Sequence, residues 1–323
     1  MDKDFEKIVE LITQSKNKTY SIINKALVEL YWKVGEFIYL KTQNTEWGKG
    51  TVKELANYIS EKEPKLRGFT ASNLWRMKQF YEEYSQNEKL APLVREISWT
   101  NNLLILSKTK TVEEKEFYLK KCLQERYSKR ELARQIDSAY FERTMLSNTQ
   151  SSITAEELYP RIKEVFLDNY VVEFLNLKDD FSEYDLQKSI LKHLKKFVLE
   201  FGKDFLLIDE EYKIQVGNQD FYIDLLFFHR ELRCLVAIEL KITDFKPEYL
   251  GKMNFYLEAL DREVKKDHEN PSVGIILCKT KDSEVVEYAL SRNLSPTLVS
   301  EYETKLLDKK ILQQKLHELF ENE

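Results

Sequence analysis

The chain reads as an all-α amino-terminal domain followed by an α/β carboxy-terminal domain with a mixed sheet. Three observations predict this. Apolar residues recur at three- and four-residue spacing from residue 4 to about 146, the period becomes strand-like after Gly202, and helices then alternate with apolar strands to the end. A length of 323 residues is long for one core and suits two.

In the first half, "IINKALVELYWKVGEFIY" is a long amphipathic helix with no proline. Capping-box pairs, Thr111 with Glu114 and Ser128 with Glu131, open two later helices. "SNTQSSIT", residues 147–154, has no apolar period and the composition of a linker, so the expected domains are 1–146 and 155–323.

Beyond the linker, "AEELYPRIKEVFLDN" and "YVVEFLNL" read as shorter helices. "SEYDLQKSILKHLKKFVLEFG" reads as one long helix, with Leu186, Ile190, Leu194, Phe197 and Phe201 on one stripe and Gly202 as its stop. "EYKIQV", the turn "GNQD", "FYIDLLFF", the turn "HRELR" and "CLVAIELK" follow as three strands. Pro247 opens a helix, "SVGIILCKT" is an apolar strand of the kind covered on both faces, and a helix, a short strand at "PTLVS" and a terminal helix complete the order α-β-β-β-α-β-α-β.

Composition narrows the function classes. The formal net charge of −5 argues against coating nucleic acid non-specifically, which needs an excess of Lys and Arg, although a local basic patch remains compatible with it. No stretch approaches the roughly 18 uncharged apolar residues of a membrane span, and the amino terminus lacks a signal pattern; the expectation is a cytoplasmic protein. Cys122, Cys234 and Cys278 lie in apolar runs far apart and read as buried free thiols, while the four scattered histidines give no zinc pattern.

Asp224, Glu239 and Lys241 sit where a buried hairpin calls for Val, Ile and Leu. Side chains two apart in a strand share a face, so Glu239 and Lys241 point the same way. A turn at Glu231 and Leu232 sets 228 opposite 235 and therefore Asp224 opposite Glu239, with Cβ atoms about 4.5–5.5 Å apart. Facing carboxylates among apolar residues are costly unless a cation joins them. Mg²⁺ (or Mn²⁺), a hard ion, suits Asp224, Glu239 and the backbone carbonyl of Leu240, with Lys241 placed to orient an attacking water or neutralise a phosphate. Spacing alone fits equally a solvated strand face on which Lys241 is a counter-ion.

These residues in this context resemble the PD-(D/E)xK nuclease superfamily with its restriction-endonuclease-like αβββαβ core. "FLNLKDDFSEYDLQKSILKHLKKFVLEFGKDF" and "GNQDFYIDLLFFHRELRCLVAIELKITDFKPEYLGKMNFYLEALD" more closely resemble the bacterial YhcG family, also called the DUF1016 proteins. "YWKVGEFI", "GFTASNLWRMKQFY", "ISWTNNLLIL" and "YSKRELARQIDSAYFER" resemble that family's amino-terminal domain. The resemblance implies that Asp224 and Glu239 are metal ligands, Lys241 is the catalytic lysine, and Glu200 is the extra acid of the preceding helix. Where some branches carry Q-x-x-x-Y, this chain has Lys252 and Tyr256, one turn apart; Lys252 is the candidate phosphate contact, and Tyr256 fits either the site or the core. Gln219, in the "GNQD" turn, is a further candidate for nucleic-acid contact.

In the first domain, "GTVKELANYISEKEPKLRGFTASNLWRMKQFYEEY" reads as helix, turn, helix, with Thr70 as cap and Leu74, Met77, Tyr81 and Tyr84 inward. That leaves Ser72, Asn73, Arg76 and Gln79 outward, where a helix-turn-helix meets base edges, with Lys49, Lys53, Lys65 and Arg67 near phosphates. An ordinary helical hairpin has the same pattern. The leading expectation is a divalent-metal-dependent nuclease acting on DNA, its helical domain contacting substrate or forming a homodimer. The alternative is a non-catalytic DNA-binding or protein-interaction adaptor of a defence or mobile-element system that keeps the nuclease fold.

Overall fold

The computed structural model describes residues 2–43 and 47–321 as two compact units, Met1–Ile136 and Asp137–Glu323. The division falls at 136/137 rather than after 146.

The first unit is helical as expected: α1 (Asp2–Gln43), α2 (Lys49–Lys62), α3 (Ala71–Tyr84), α4 (Leu90–Glu96), α5 (Trp99–Lys108), α6 (Val112–Glu125) and α7 (Lys129–Asp137). Its core is aromatic, with Trp32 and Trp99 set edge-on to Phe80 at centroid separations of 5.7 and 5.2 Å. The α1–α3 contact depends on Gly35, because a Cβ there would lie 2.1 Å from the Met77 carbonyl oxygen, a backbone atom that has nowhere to go. Ser128 and Glu131 form the reciprocal capping box the sequence predicts, with Ser128 N donating to Glu131 Oε2 at 2.7 Å and Glu131 N to Ser128 Oγ at 3.3 Å. Thr111 caps α6 by accepting from Glu114 N, while the Glu114 carboxylate reaches Lys110 N instead of Thr111.

The second unit begins with α8 (Tyr140–Met145), β1 (Gln150–Ser151), α9 (Ile153–Leu158), α10 (Ile162–Val165) and β2 (Asn169–Val171). It continues with α11 (Glu183–Lys192), α12 (Leu194–Phe201), β3 (Phe205–Val216), β4 (Gln219–His229) and β5 (Cys234–Leu240). The end of the chain supplies α13 (Glu248–Glu263), β6 (Asn270–Cys278), α14 (Ser283–Leu290), β7 (Thr297–Glu303) and α15 (Lys309–Glu321). The sheet runs β1-β7-β6-β5-β4-β3 with β2 parallel to β7; β3, β4 and β5 are an antiparallel meander, and β5, β6 and β7 are parallel.

Four departures from the sequence reading have local causes. The expected linker is built into the fold: β1 pairs with β7, and the Ser152 hydroxyl caps α9 while donating to Ser295 O at 2.7 Å. Pro160, which lacks an N–H, splits the expected helix at 155–169 into α9 and α10. "YVVEFLNL" forms β2 and a 3₁₀ turn at Glu173–Leu175, because Asn169, Tyr170 and Val171 find partners on β7. The long helix breaks at His193, so that α11 and α12 pack in different places. Phe197 and Phe201 of α12 join Tyr170, Phe205 and Phe227, whereas α11 lies by the ends of β4 and β5.

Helix α13 covers the opposite face, where Met253, Tyr256, Leu257 and Leu260 pack with Leu226, Leu235 and Ala237. The three cysteines are free and buried, and among the described residues no helix is long and apolar enough to cross a membrane.

Candidate active site

The β4–β5 register sets Phe228 opposite Leu235, Leu226 opposite Ala237 and Leu225 opposite Ile238, as the turn at 231–232 requires. Continued by one pair, it sets Asp224 against Glu239. There the ladder stops and the Asp224 carboxylate replaces it, with Oδ2 accepting from the N–H of Leu240 at 2.7 Å. The two acids therefore share the face under α13, at the place where strand pairing gives way.

Glu239 is 1 % exposed. Its Oε1 is flanked by two ammonium groups, Lys241 Nζ at 3.1 Å and Lys252 Nζ at 2.5 Å. Its Oε2 is buried without a hydrogen-bond partner among the described residues. Burial, then the charge of Glu239, push the Asp224 carboxyl up to about 6, against smaller opposing effects of the Leu240 N–H, Lys252 and Lys241. Burial would pull the Lys241 ammonium down, but Glu239 and Glu183 outweigh it and raise its pKa. The same contest, won by Glu239, raises that of Lys252.

Lys241 follows the last residue of β5, and its backbone N–H is fixed to Leu277 O at 2.9 Å. Its side chain spans from Glu239 to Glu183 Oε2, 3.1 Å away at the start of α11. One turn on, Gln187 Nε2 donates to the backbone carbonyl of Asp224 at 2.9 Å. On α13 the Lys252 ammonium lies 5.3 Å from the centroid of the Tyr256 ring, whose hydroxyl donates to Tyr222 O at 2.5 Å. Tyr256, 2 % exposed and within the core cluster, is both core and site wall.

Two stretches of the chain match known families in tandem. Residues 163–317 match the YhcG PDDEXK nuclease domain, and residues 7–143 match the DUF1016 N-terminal domain. Along both stretches the chain is similar to the YhcG (DUF1016) proteins. "Putative nuclease YhcG" of Escherichia coli (strain K12) is 29% identical over 345 residues, covering 96% of this chain and 92% of that protein. A repair endonuclease from Pyrococcus abyssi, known from its crystal structure, is 18% identical with a TM-score of 0.26. The match covers 40% of this chain and 49% of that one, so the chain spans about half the length of that protein.

Of the residues the sequence singled out, the structure brings Asp224, Glu239, Leu240, Lys241 and Lys252 together. It does not bring Glu200 to them. Glu200 is buried in an ion pair with Arg143 (Nη1–Oε1, 2.8 Å) and accepts from Val171 N at 2.9 Å. The family resemblance put the extra acid at Glu200, near the end of one long helix; that helix breaks at His193, and the acid beside Lys241 is Glu183, at the start of α11. Its signal in the sequence was the i, i+4 pair Glu183 and Gln187 opening the helix at a Ser182 cap. Gln219 is exposed at the hairpin tip, paired with Val216.

In the first unit, Thr70 caps α3 as expected, and Leu74, Met77, Phe80 and Tyr84 face inward. Tyr81 is half-buried and donates to Glu36. Asn73 does not face outward as a free reader: its Nδ2 donates to Gly68 O, and its Oδ1 accepts from Trp99 Nε1 at 3.1 Å. Arg76 is exposed in a groove with Gln79, Thr100, Ser107 and Lys129. The Lys49 side chain lies outside the described residues.

A hard divalent ion fits the donor set: carboxylates from adjacent strands meet at a break in the ladder, and one buried carboxylate oxygen has no other partner. No group of three or more His, Cys, Asp and Glu side chains could hold a metal among the described residues, so the protein offers two carboxylates and backbone.

Proposed function

We propose that this chain is a nuclease that hydrolyses phosphodiester bonds in DNA with Mg²⁺ (or Mn²⁺), held by Asp224, Glu239 and the backbone carbonyl of Leu240. The observation that supports this most is the buried Oε2 of Glu239 on the face it shares with Asp224, since both flanking lysines bind Oε1 and Oε2 has no hydrogen-bond partner among the described residues, which is costly for a buried carboxylate oxygen. Bound there, the ion supplies positive charge against the negative charge that develops on the phosphate.

The residues divide the remaining work. The Leu240 N–H fixes the Asp224 carboxylate, and Gln187 fixes the backbone behind it. Lys241, kept protonated by Glu239 and Glu183, acts as a donor to the phosphate oxygens and the departing oxygen rather than as a base. Glu183 is the positioning residue that holds the Lys241 stem across the site. Arg76 and Lys129, exposed on one groove of the helical unit, suit phosphate contacts.

The direct test is cleavage of duplex, single-stranded and branched DNA, and of RNA, with Mg²⁺ or Mn²⁺. Wild type cuts DNA, whereas Asp224→Ala and Lys241→Ala fall by roughly a hundredfold or more. No cleavage by the wild type on any substrate, or equal cleavage by the variants, overturns the reading.

A further inference from the structure

Glu239 Oε1 is claimed twice. Lys241 reaches it from the same strand end and Lys252 from α13, and the Lys252 ammonium is the closer, at 2.5 Å against 3.1 Å. The two lysines differ in what else holds them. Lys241 is 13 % exposed, with Glu183 as its second partner. Lys252 is 45 % exposed, rests over the Tyr256 ring, and has Glu239 as its one carboxylate partner among the described residues. Tyr256 is itself anchored to the Tyr222 carbonyl, so the ammonium is aimed at Glu239 by the architecture of α13 on the sheet.

A divalent ion held by Asp224 and the free Oε2 of Glu239 would share with this ammonium the carboxylate whose Oε1 the ammonium holds. Two positive charges a few ångströms apart at the edge of a buried site repel strongly, because little water screens them there. Lys241 is held by a second carboxylate, Glu183, whereas Lys252 is half exposed and has no other carboxylate partner among the described residues. We propose that Lys252 and the divalent ion exclude one another at Glu239, so that Lys252 is a positioning residue that keeps the carboxylate ordered before the ion arrives and is released by it toward the phosphate backbone. This inference rests on the metal-dependent reading above and adds to it an exchange of cations on one carboxylate.

The full chain is titrated with Mg²⁺ by calorimetry as wild type, Lys252→Met, Lys252→Arg and Asp224→Ala. In parallel, the reactivity of Lys252 toward an amine-specific acylating reagent is read by mass spectrometry with and without saturating Mg²⁺. Loss of the competing charge in Lys252→Met tightens ion binding by roughly tenfold or more, Lys252→Arg binds as the wild type does, and Mg²⁺ raises the labelling of Lys252. Binding in Lys252→Met that is unchanged or weaker, or labelling that Mg²⁺ leaves unaltered, overturns the exchange. If Asp224→Ala still abolishes binding in that case, the metal site stands without the exchange; if the wild type binds no ion at all, the metal-dependent reading falls and the exchange falls with it.

Discussion

At the scale of single residues, the site is set by one unfavourable carboxyl and the groups that relieve it. Asp224 shifts from 3.8 in a free chain to about 6, so the folded protein holds that proton more tightly than the unfolded chain does. Its stabilising contribution is complete below about 4 and is lost as pH rises through about 6, where the ionised carboxylate costs the metal-free fold up to roughly 3 kcal/mol. Asp224→Asn keeps an acceptor for the Leu240 N–H and carries no charge. In EDTA, its stability relative to wild type is therefore expected to grow between pH 4.5 and 7.5, measured by urea denaturation at each pH; a constant difference would count against the shift. The sign reverses for function, since divalent-ion affinity should weaken as pH falls below about 6.

At the scale of elements, what could be read from the sequence was whatever repeats locally. The β4–β5 register followed from a turn and two alternating runs, and it placed Asp224 opposite Glu239 without knowledge of the rest of the sheet. β1 and β2 left no local pattern, because two- and three-residue strands owe their existence to β7, more than a hundred residues away. Glu200, which the resemblance offered as the extra acid, lies away from the site: apolar periodicity runs through His193 unbroken, while the seats that bend α11 from α12 are tertiary. Its true setting gives a prediction. Arg143 is bound on every side, by Glu200, Asn169 O and Ser138, so Glu200→Ala leaves a buried guanidinium partly unpaired and should cost about 3–5 kcal/mol in denaturant unfolding while leaving Mg²⁺ affinity unchanged. A variant as stable as wild type, or one that fails to bind the ion while folded, would return Glu200 to the site. In the helical unit, Gly35→Ala forces a methyl onto the Met77 carbonyl, and thermal melting should show about 1–3 kcal/mol lost through separation of α1 and α3.

At the scale of the whole molecule, the chain joins a helical unit with an exposed cationic groove to an α/β unit whose sheet converges on a carboxylate pair. Both families that match it were legible in long segments of sequence, whereas the outward role given to Asn73 was not sound, because its amide closes the Gly68 turn against Trp99. Arg76 carries the remaining expectation for that unit. Arg76→Ala should weaken duplex binding in EDTA uniformly across sequences and reduce the salt slope by about one, measured by mobility shift or anisotropy. An unchanged slope would place nucleic-acid contact elsewhere. The central claim is narrower, that Asp224, Glu239 and Lys241 together make a phosphodiesterase centre. Its most direct test is the single-turnover cleavage rate of labelled DNA at saturating Mg²⁺ for Lys241→Ala, with folding and ion affinity measured on the same sample. The structure predicts a folded protein that still binds the ion and cleaves at least roughly a hundredfold more slowly than wild type; a Lys241→Ala protein that cleaves at the wild-type rate would contradict it.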